Sequence, residues 1–208
     1  MVVCSLGDAS VTEGEVAEAF QMAALKQFPI IYLVQDNGWD ISANAAETRA
    51  QDAAEYAKGF HGIEVRRVDG SDFEACWHTM TEVTEIVRRE RRPFLVHANV
   101  PLLNHHTSGV RKEWYRDDLE EHEARDPFPR LRNYLLEQGV EEDQLREIDR
   151  EVEDTVRADY EKALAAEDPR PEDLFTHDFA PTPVQEESGQ REPEGGEPIV
   201  MVDCALHA

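Results

Sequence analysis

At 208 residues the chain can form one or two domains with a sizeable core. Its 45 acidic residues outnumber 21 basic ones, and the net charge of −24 argues against nucleic acid or an anionic membrane surface as a partner. No apolar run is long enough to span a bilayer and no basic stretch with an apolar core opens the chain, so a cytoplasmic protein is expected. Lys is scarce beside Arg, a balance that fits either a high-salt proteome or one acidic tail plus chance.

The first element is the apolar run Val2, Val3, Cys4 and Leu6, which reads as a buried strand ending at the Gly7-Asp8 turn. Val16, Ala17, Ala19, Phe20, Ala23 and Ala24 recur at helical spacing until Pro29 closes the segment. A second strand, Ile30 to Val34, ends in Asp36-Asn37-Gly38. A single crossover helix makes the two strands parallel, so their carboxyl ends share one rim, where Asp8 and Asn37 converge. A carboxylate and an amide oxygen at that rim suit a hard cation such as Mg²⁺, with positions left for phosphate oxygens and water. The helix beginning near Thr12 aims its N–H groups at the same crevice, which favours phosphate. The same spacing allows two ordinary turns, because Gly-Asp and Asn-Gly are common loop dipeptides.

Asp40 to Thr48 is small and polar and reads as a loop leaving that rim. Asp52 to Phe60 reads as a short helix stopped by Gly59, and Ile63 to Val68 as a strand ending in Asp69-Gly70. Ser71 or Asp72 then caps a helix with the apolar stripe Phe73, Cys76, Trp77, Met80, Val83, Ile86 and Val87. The arginines between Arg88 and Arg92 complement the dipole at its end. Pro93 opens the strand Phe94 to Val100, and the repeated alternation predicts an α/β fold with a partial doubly wound, mostly parallel sheet. Cys4, Cys76 and Cys204 are an odd set without metal-type spacing, and Cys4 and Cys76, in strand and helix patterns, read as buried free thiols.

The loop Pro101 to Arg111 carries the adjacent pair His105 and His106 ahead of Thr107, Ser108 and Gly109, and reads either as a polar loop near strand ends where ligands bind or as a solvent loop with a chance His pair. Helices follow over 117–124 and 126–139, and over 141–166 Leu145, Ile148, Val152, Val156, Tyr160 and Leu164 form one narrow apolar stripe. Pro169 to Pro198 is rich in Pro, Glu, Gly and Gln and reads as a linker with little fixed structure. The expected organisation is an α/β domain at 1–116, a helical segment at 117–168, a flexible acidic linker at 169–198 and the start of a further domain at 199–208. A start one residue before a central strand and an end inside an apolar element suggest a fragment cut at both ends.

Gly-Asp-x-x-x-Thr-Glu-Gly from Gly7, a helix, and then Asn-Gly-Trp-x-Ile-Ser from Asn37 resemble the thiamine-diphosphate motif. The closer resemblance is to the alpha subunit of the decarboxylating component of 2-oxoacid dehydrogenase complexes. It extends to the Val-Asp-Gly-x-Asp segment at Val68, the Pro-Phe-Leu strand at Pro93 and the Asp-Pro stretch at Asp126, and it covers about residues 1–166. It implies that Asp8, Asn37 and the Trp39 carbonyl hold Mg²⁺, that the metal bridges the cofactor diphosphate beside Gly7, Asp8, Ala9 and Ser10, and that His106 contacts the cofactor and helps pass the acyl group to a lipoyl carrier. A neutral imidazole can move a proton either way near pH 7, which suits that step.

The complete enzyme so implied uses thiamine diphosphate to decarboxylate a branched-chain 2-oxo acid or pyruvate and transfers the acyl group to the lipoyl arm. Its partners are a beta-subunit-like chain, of which 199–208 resembles the beginning, and a lipoyl-bearing acyltransferase, in a hetero- or homo-oligomer. The fragment alone is expected to be nearly inactive. Thr107 stands where animal enzymes are phosphorylated. Departures from the family pattern are Ala9 for Gly, Asp36 for the first Asn, Leu102 for an Arg before the His pair, and Val110-Arg111 for an Asp-Asp pair. An acetoin-type or other thiamine-dependent enzyme shares the metal motif, and a non-catalytic acidic assembly module is the remaining alternative.

Overall fold

The computed structural model describes residues 1–107 and 109–176. Ser108, Cys204, most of the linker expected at 169–198 and all of 199–208 lie outside the described residues. The chain divides into two units, residues 1–153 and 154–208.

In the first unit, β1 (Val2–Gly7), β2 (Ile30–Asp36), β5 (Glu64–Asp69) and β6 (Phe94–Asn99) form one sheet in the order β1-β2-β6-β5. Every pairing in it is parallel, and Gly7 stands opposite Gln35 while Asp36 and Asp69 both stand opposite Asn99. The carboxyl ends of all four strands therefore lie on one rim, as the crossover rule requires. The alternation of side chains along β2 and β6 shows why helices cover both faces. Tyr32, Val34 and Leu95 point into one apolar cluster, whereas Ile31, Phe94 and Val96 point into the other.

The first cluster is roofed by α1 (Gly14–Lys26) and α3 (Ala53–Ala57) and centres on Phe20, which is fully buried. The Phe20 ring meets Tyr32 at 4.7 Å and Phe60 at 5.3 Å between centroids, both edge to face, a geometry that adds quadrupole attraction to the area buried. The second cluster is roofed by α4 (Phe73–Glu90) through Val83 and Val87. Asp72 caps α4 by accepting a hydrogen bond from the Ala75 N–H at 3.0 Å. The amino-terminal part of the α4 stripe does not reach the core: Phe73 and Trp77 stack on each other in solvent.

Two expectations are corrected. β1 forms an edge of this sheet among the described residues, with Val2 and Val3 exposed, where a buried central strand was expected. The stretch 40–48 is not a plain loop: β3 (Trp39–Asp40) pairs antiparallel with β4 (Ala43–Asn44), and α2 (Ala45–Thr48) follows. Asn44 accepts from the Ala46 and Glu47 N–H groups while the Glu47 carboxylate accepts from the Asn44 N–H, a reciprocal cap that stabilises so short a helix.

After β6 come α5 (Leu119–Glu123), α6 (Pro127–Glu137) and α7 (Glu142–Leu164). Arg132 of α6 bonds Glu142 and Asp149 at 2.8 and 3.0 Å. In the second unit, the described residues are the end of α7 and a 3-10 turn at Pro171–Phe175, which falls inside the expected linker. Among the described residues no helix is long and apolar enough to cross a membrane.

Candidate functional site

β1 ends at Gly7 and the chain enters a 3-10 turn, Ala9–Thr12, with Asp8 at its start. Asp8 is 2% exposed, and the parallel register sets it beside Asp36 at the tip of β2, itself 6% exposed. Two carboxylates buried this closely require positive charge between them. Arg49 supplies it from the end of α2: its Nη1 lies 2.6 Å from Asp8 Oδ2 and its Nη2 lies 2.8 Å from Asp36 Oδ1. The two contacts differ in kind. The Asp36 contact is a directed hydrogen bond, whereas Arg49 Nη1 and Asp8 Oδ2 miss hydrogen-bond geometry despite their short separation.

His97, on β6, completes the cluster, its Nε2 lying 2.9 Å from Asp36 Oδ2. Burial pushes the Asp36 carboxyl up, but the hydrogen bond with His97, the Arg49 charge and the Gly38 N–H together hold it down at about 2. Asp8 moves the other way, because burial and then the Asp36 charge raise its pKa more than Arg49 lowers it. Burial acts against the charge of both acids, and the partners of Asp36 outweigh it while those of Asp8 do not.

Asn37 follows Asp36 at the same rim, and its Oδ1 accepts the Trp39 N–H at 2.9 Å. Gly38, with φ of +78°, makes the turn between them, a backbone conformation that Gly adopts without strain. The Trp39 indole donates to Asp118 Oδ2 at 2.8 Å, and the Arg116 guanidinium lies over its ring. These contacts tie the Asn37 turn to the segment that follows the His loop. Gly7 and Ala9 flank Asp8, and Ser10 is exposed on the 3-10 turn. The adjoining cavity of about 290 Å³ is lined by Asp8, Val11, Thr12, Arg49, Asp52 and Tyr56 among others, so it opens onto Asp8 and its Arg49 partner, while Asp36 lines a separate cleft with His97.

His106 is exposed in the loop after β6 and lines neither this cavity nor the cleft at Asp36 and His97. The loop is fastened around it. The Val100 N–H donates to the Asp36 carbonyl at 2.8 Å, the Leu102 N–H to His122 Nδ1 at 2.8 Å, and the Lys112 N–H to His105 Nδ1 at 3.0 Å. Arg116, 6% exposed, donates to the Leu102 carbonyl and to Asp118.

To accept from Leu102, His122 must be neutral at Nδ1, and burial followed by the Arg116 charge lowers its pKa accordingly. With the folded pKa below the unfolded one, its contribution to stability is complete above the unfolded value of about 6.5 and is lost as pH falls through the folded value. Wild type is therefore expected to lose melting temperature between pH 7 and 5 more steeply than His122→Asn, whose amide oxygen can still accept from Leu102. Equal slopes in thermal melts would contradict this role.

Asp8 and Asn37 are brought to one rim as their spacing predicts. Arg49 and His97 were not anticipated as site residues. The only signal for His97 was a lone titratable residue inside the apolar strand Phe94 to Ala98. Among the described residues no three His, Cys, Asp or Glu side chains converge as a metal site. A cation here would rely on the Asp8 carboxylate, the second lone pair of the Asn37 amide oxygen and the Trp39 carbonyl. That all-oxygen set fits a hard divalent ion.

These strand tips define a parallel α/β protein with a cavity at the carboxyl ends of its strands. The chain belongs to the dehydrogenase E1 component family, whose model matches residues 1–172. It is 30% identical over 189 residues to the mitochondrial 2-oxoisovalerate dehydrogenase subunit alpha of Mus musculus, covering 89% of this chain and 43% of that one. It is 35% identical over 150 residues to the 3-methyl-2-oxobutanoate dehydrogenase subunit alpha of Mycobacterium tuberculosis, covering 71% and 41%. It is also 29% identical over 174 residues to the pyruvate dehydrogenase E1 component subunit alpha of Rickettsia bellii, covering 82% and 53%. The chain thus spans about half the length of these relatives or less. A transketolase structure from Campylobacter jejuni overlaps 47% of this chain and 15% of its own at a TM-score of 0.40 and 22% identity, too loose a match to carry an argument.

Proposed function

We propose that this chain is the metal- and diphosphate-binding part of a thiamine-diphosphate-dependent 2-oxoacid dehydrogenase. Its substrate is a branched-chain 2-oxo acid or pyruvate, and its acyl product goes to a lipoyl carrier. The observation that carries the reading is the buried Asp8 carboxylate at a parallel strand tip, on the same rim as Asn37 and open to a cavity, in a chain of the E1 component family. The relatives' names supply the substrate class: 2-oxoisovalerate and 3-methyl-2-oxobutanoate on one side, pyruvate on the other.

Asp8, Asn37 and the Trp39 carbonyl hold Mg²⁺ in this reading, while Gly7, Ala9 and Ser10 bring backbone and hydroxyl groups to the diphosphate. Thiamine diphosphate, when bound, supplies the electron sink for decarboxylation. The Trp39–Asp118 bond orients the Asn37 turn. His106 moves a proton during acyl transfer to the lipoyl arm. A beta-subunit-like partner completes the site, and a lipoyl-bearing acyltransferase receives the product.

The test is turnover by the chain assembled with its partner, offered pyruvate, branched 2-oxo acids and acetoin. Wild type is expected to release CO₂ from a 2-oxo acid. His106→Asn is expected to slow lipoyl acylation by about 100-fold or more while sparing decarboxylation with an artificial electron acceptor. Turnover of acetoin alone would replace the reading with an acetoin-type enzyme. The Arg49 bridge favours one second reading, a non-catalytic module in which Asp8 and Asp36 are structural. Absence of any cofactor-dependent turnover by the assembled protein would favour it.

A further inference from the structure

We propose that Arg49 is a resident counter-cation of the site: a divalent metal must displace it from Asp8, and the guanidinium edge so released then pairs with the diphosphate. The inference rests on the Mg-thiamine diphosphate reading above and assigns a role to a residue outside the family motif.

Arg49 is 8% exposed at the side chain and spans the two acids that share the rim. A dication on Asp8 Oδ2 would compete with the guanidinium Nη1, 2.6 Å from that oxygen, for the same lone pairs, and the two like charges would repel across one buried carboxylate. The two ends of the guanidinium are unequally held. Nη2 makes a directed hydrogen bond to Asp36, whereas Nη1 touches Asp8 without hydrogen-bond geometry. The contact that must break is the poorer one, and the Asp36 bond can serve as a pivot.

Arg49 also lines the cavity beside Asp8, so an Nη1 edge freed from the acid remains next to the space the phosphates would enter. A planar guanidinium suits phosphate oxygens, to which it can donate two parallel bonds. Charge balance points the same way. Asp8, Asp36 and Arg49 together carry one net negative charge, so a dication makes the cluster positive until a diphosphate arrives. Metal and diphosphate should therefore bind this chain cooperatively, with Arg49 contributing to that coupling.

The 208-residue chain assembled with its partner tests this without turnover. Mn²⁺ alone would be followed by electron paramagnetic resonance, and inorganic diphosphate with Mg²⁺ by calorimetry, in wild type, Arg49→Gln, Arg49→Lys and Asp8→Asn. Arg49→Gln is expected to bind Mn²⁺ about tenfold more tightly than wild type, because the competing charge is gone, and to bind diphosphate about tenfold more weakly. Arg49→Lys should keep Mn²⁺ affinity near wild type, since the charge remains, and still lose diphosphate affinity, since the fork is gone. If Arg49→Gln does not fold, the Arg49→Lys pattern decides alone. Unchanged or weaker Mn²⁺ binding in a folded Arg49→Gln, or undiminished diphosphate binding in Arg49→Lys, would overturn the proposal. If wild type binds Mn²⁺ in an Asp8-dependent way but the Arg49 variants behave like it, only this inference falls. If wild type shows no Asp8-dependent binding at all, the cofactor reading falls and takes this one with it.

Discussion

Phe20→Ala is expected to lower the unfolding free energy by about 3–5 kcal/mol in urea titrations, enough to leave much of a marginally stable domain unfolded. The ring is fully buried between α1 and the sheet, with Tyr32, Tyr56 and Phe60 centroids at 4.7, 6.1 and 5.3 Å. Truncation removes the apolar area and the edge-to-face contacts together, and it opens a cavity that three rings on different elements cannot easily fill. Tyr32 is further restrained by donating its hydroxyl to the Ala19 carbonyl at 3.2 Å. The control is Phe128→Ala in α6, 62% exposed, which should stay within about 0.5 kcal/mol of wild type. Similar costs for the two would mean that the α1 face does not form the core.

Asp8→Asn is expected to weaken Mg-thiamine diphosphate binding at least about 100-fold while changing stability by no more than about 1 kcal/mol. The neutral amide keeps the shape but not the charge a divalent ion needs. The small stability effect follows from the direction of the Asp8 pKa. Because burial and the neighbouring Asp36 raise it in the fold, the ionised carboxylate counts against the folded state as pH rises above its unfolded value, and Arg49 and a backbone hydrogen bond compensate only in part. Removing that charge relieves repulsion as it forfeits the ion pair. A residue kept for the fold would show the reverse, with stability lost and binding untouched, so the two measurements separate a ligand site from a structural bridge.

The sheet was legible because its strands are short apolar runs between turn residues, separated by helical periodicity that requires parallel pairing. That placed Asp8 and Asn37 at one rim, and it made Tyr32 and Ile31 face opposite helices. The exposure of β1 was not legible, since hydrophobic composition reports what a strand can bury and not how many neighbours it has. The β3–β4 hairpin escaped because Asp40 to Thr48 lacks a strong apolar alternation, yet Asn44-x-x-Glu47 is a capping box that could have marked α2. Arg49 was hidden for a different reason. An arginine just after a four-residue helix reads as a surface charge, and only the tertiary approach of α2 to the ends of β1 and β2 turns it inward. His97 sits in the middle of an apolar strand, where its partner Asp36 lies 61 residues away in sequence and is found only by pairing β2 with β6.

If Asp8 and Asn37 act on one divalent ion, a double-mutant cycle shows it directly. Mg-thiamine diphosphate would be titrated calorimetrically into wild type, Asp8→Asn, Asn37→Ala and the double variant, each assembled with the partner chain. Each single change is expected to abolish most of the binding free energy, with the second adding little to the first. Wild-type affinity in either single variant, or two small effects that simply add, would contradict it.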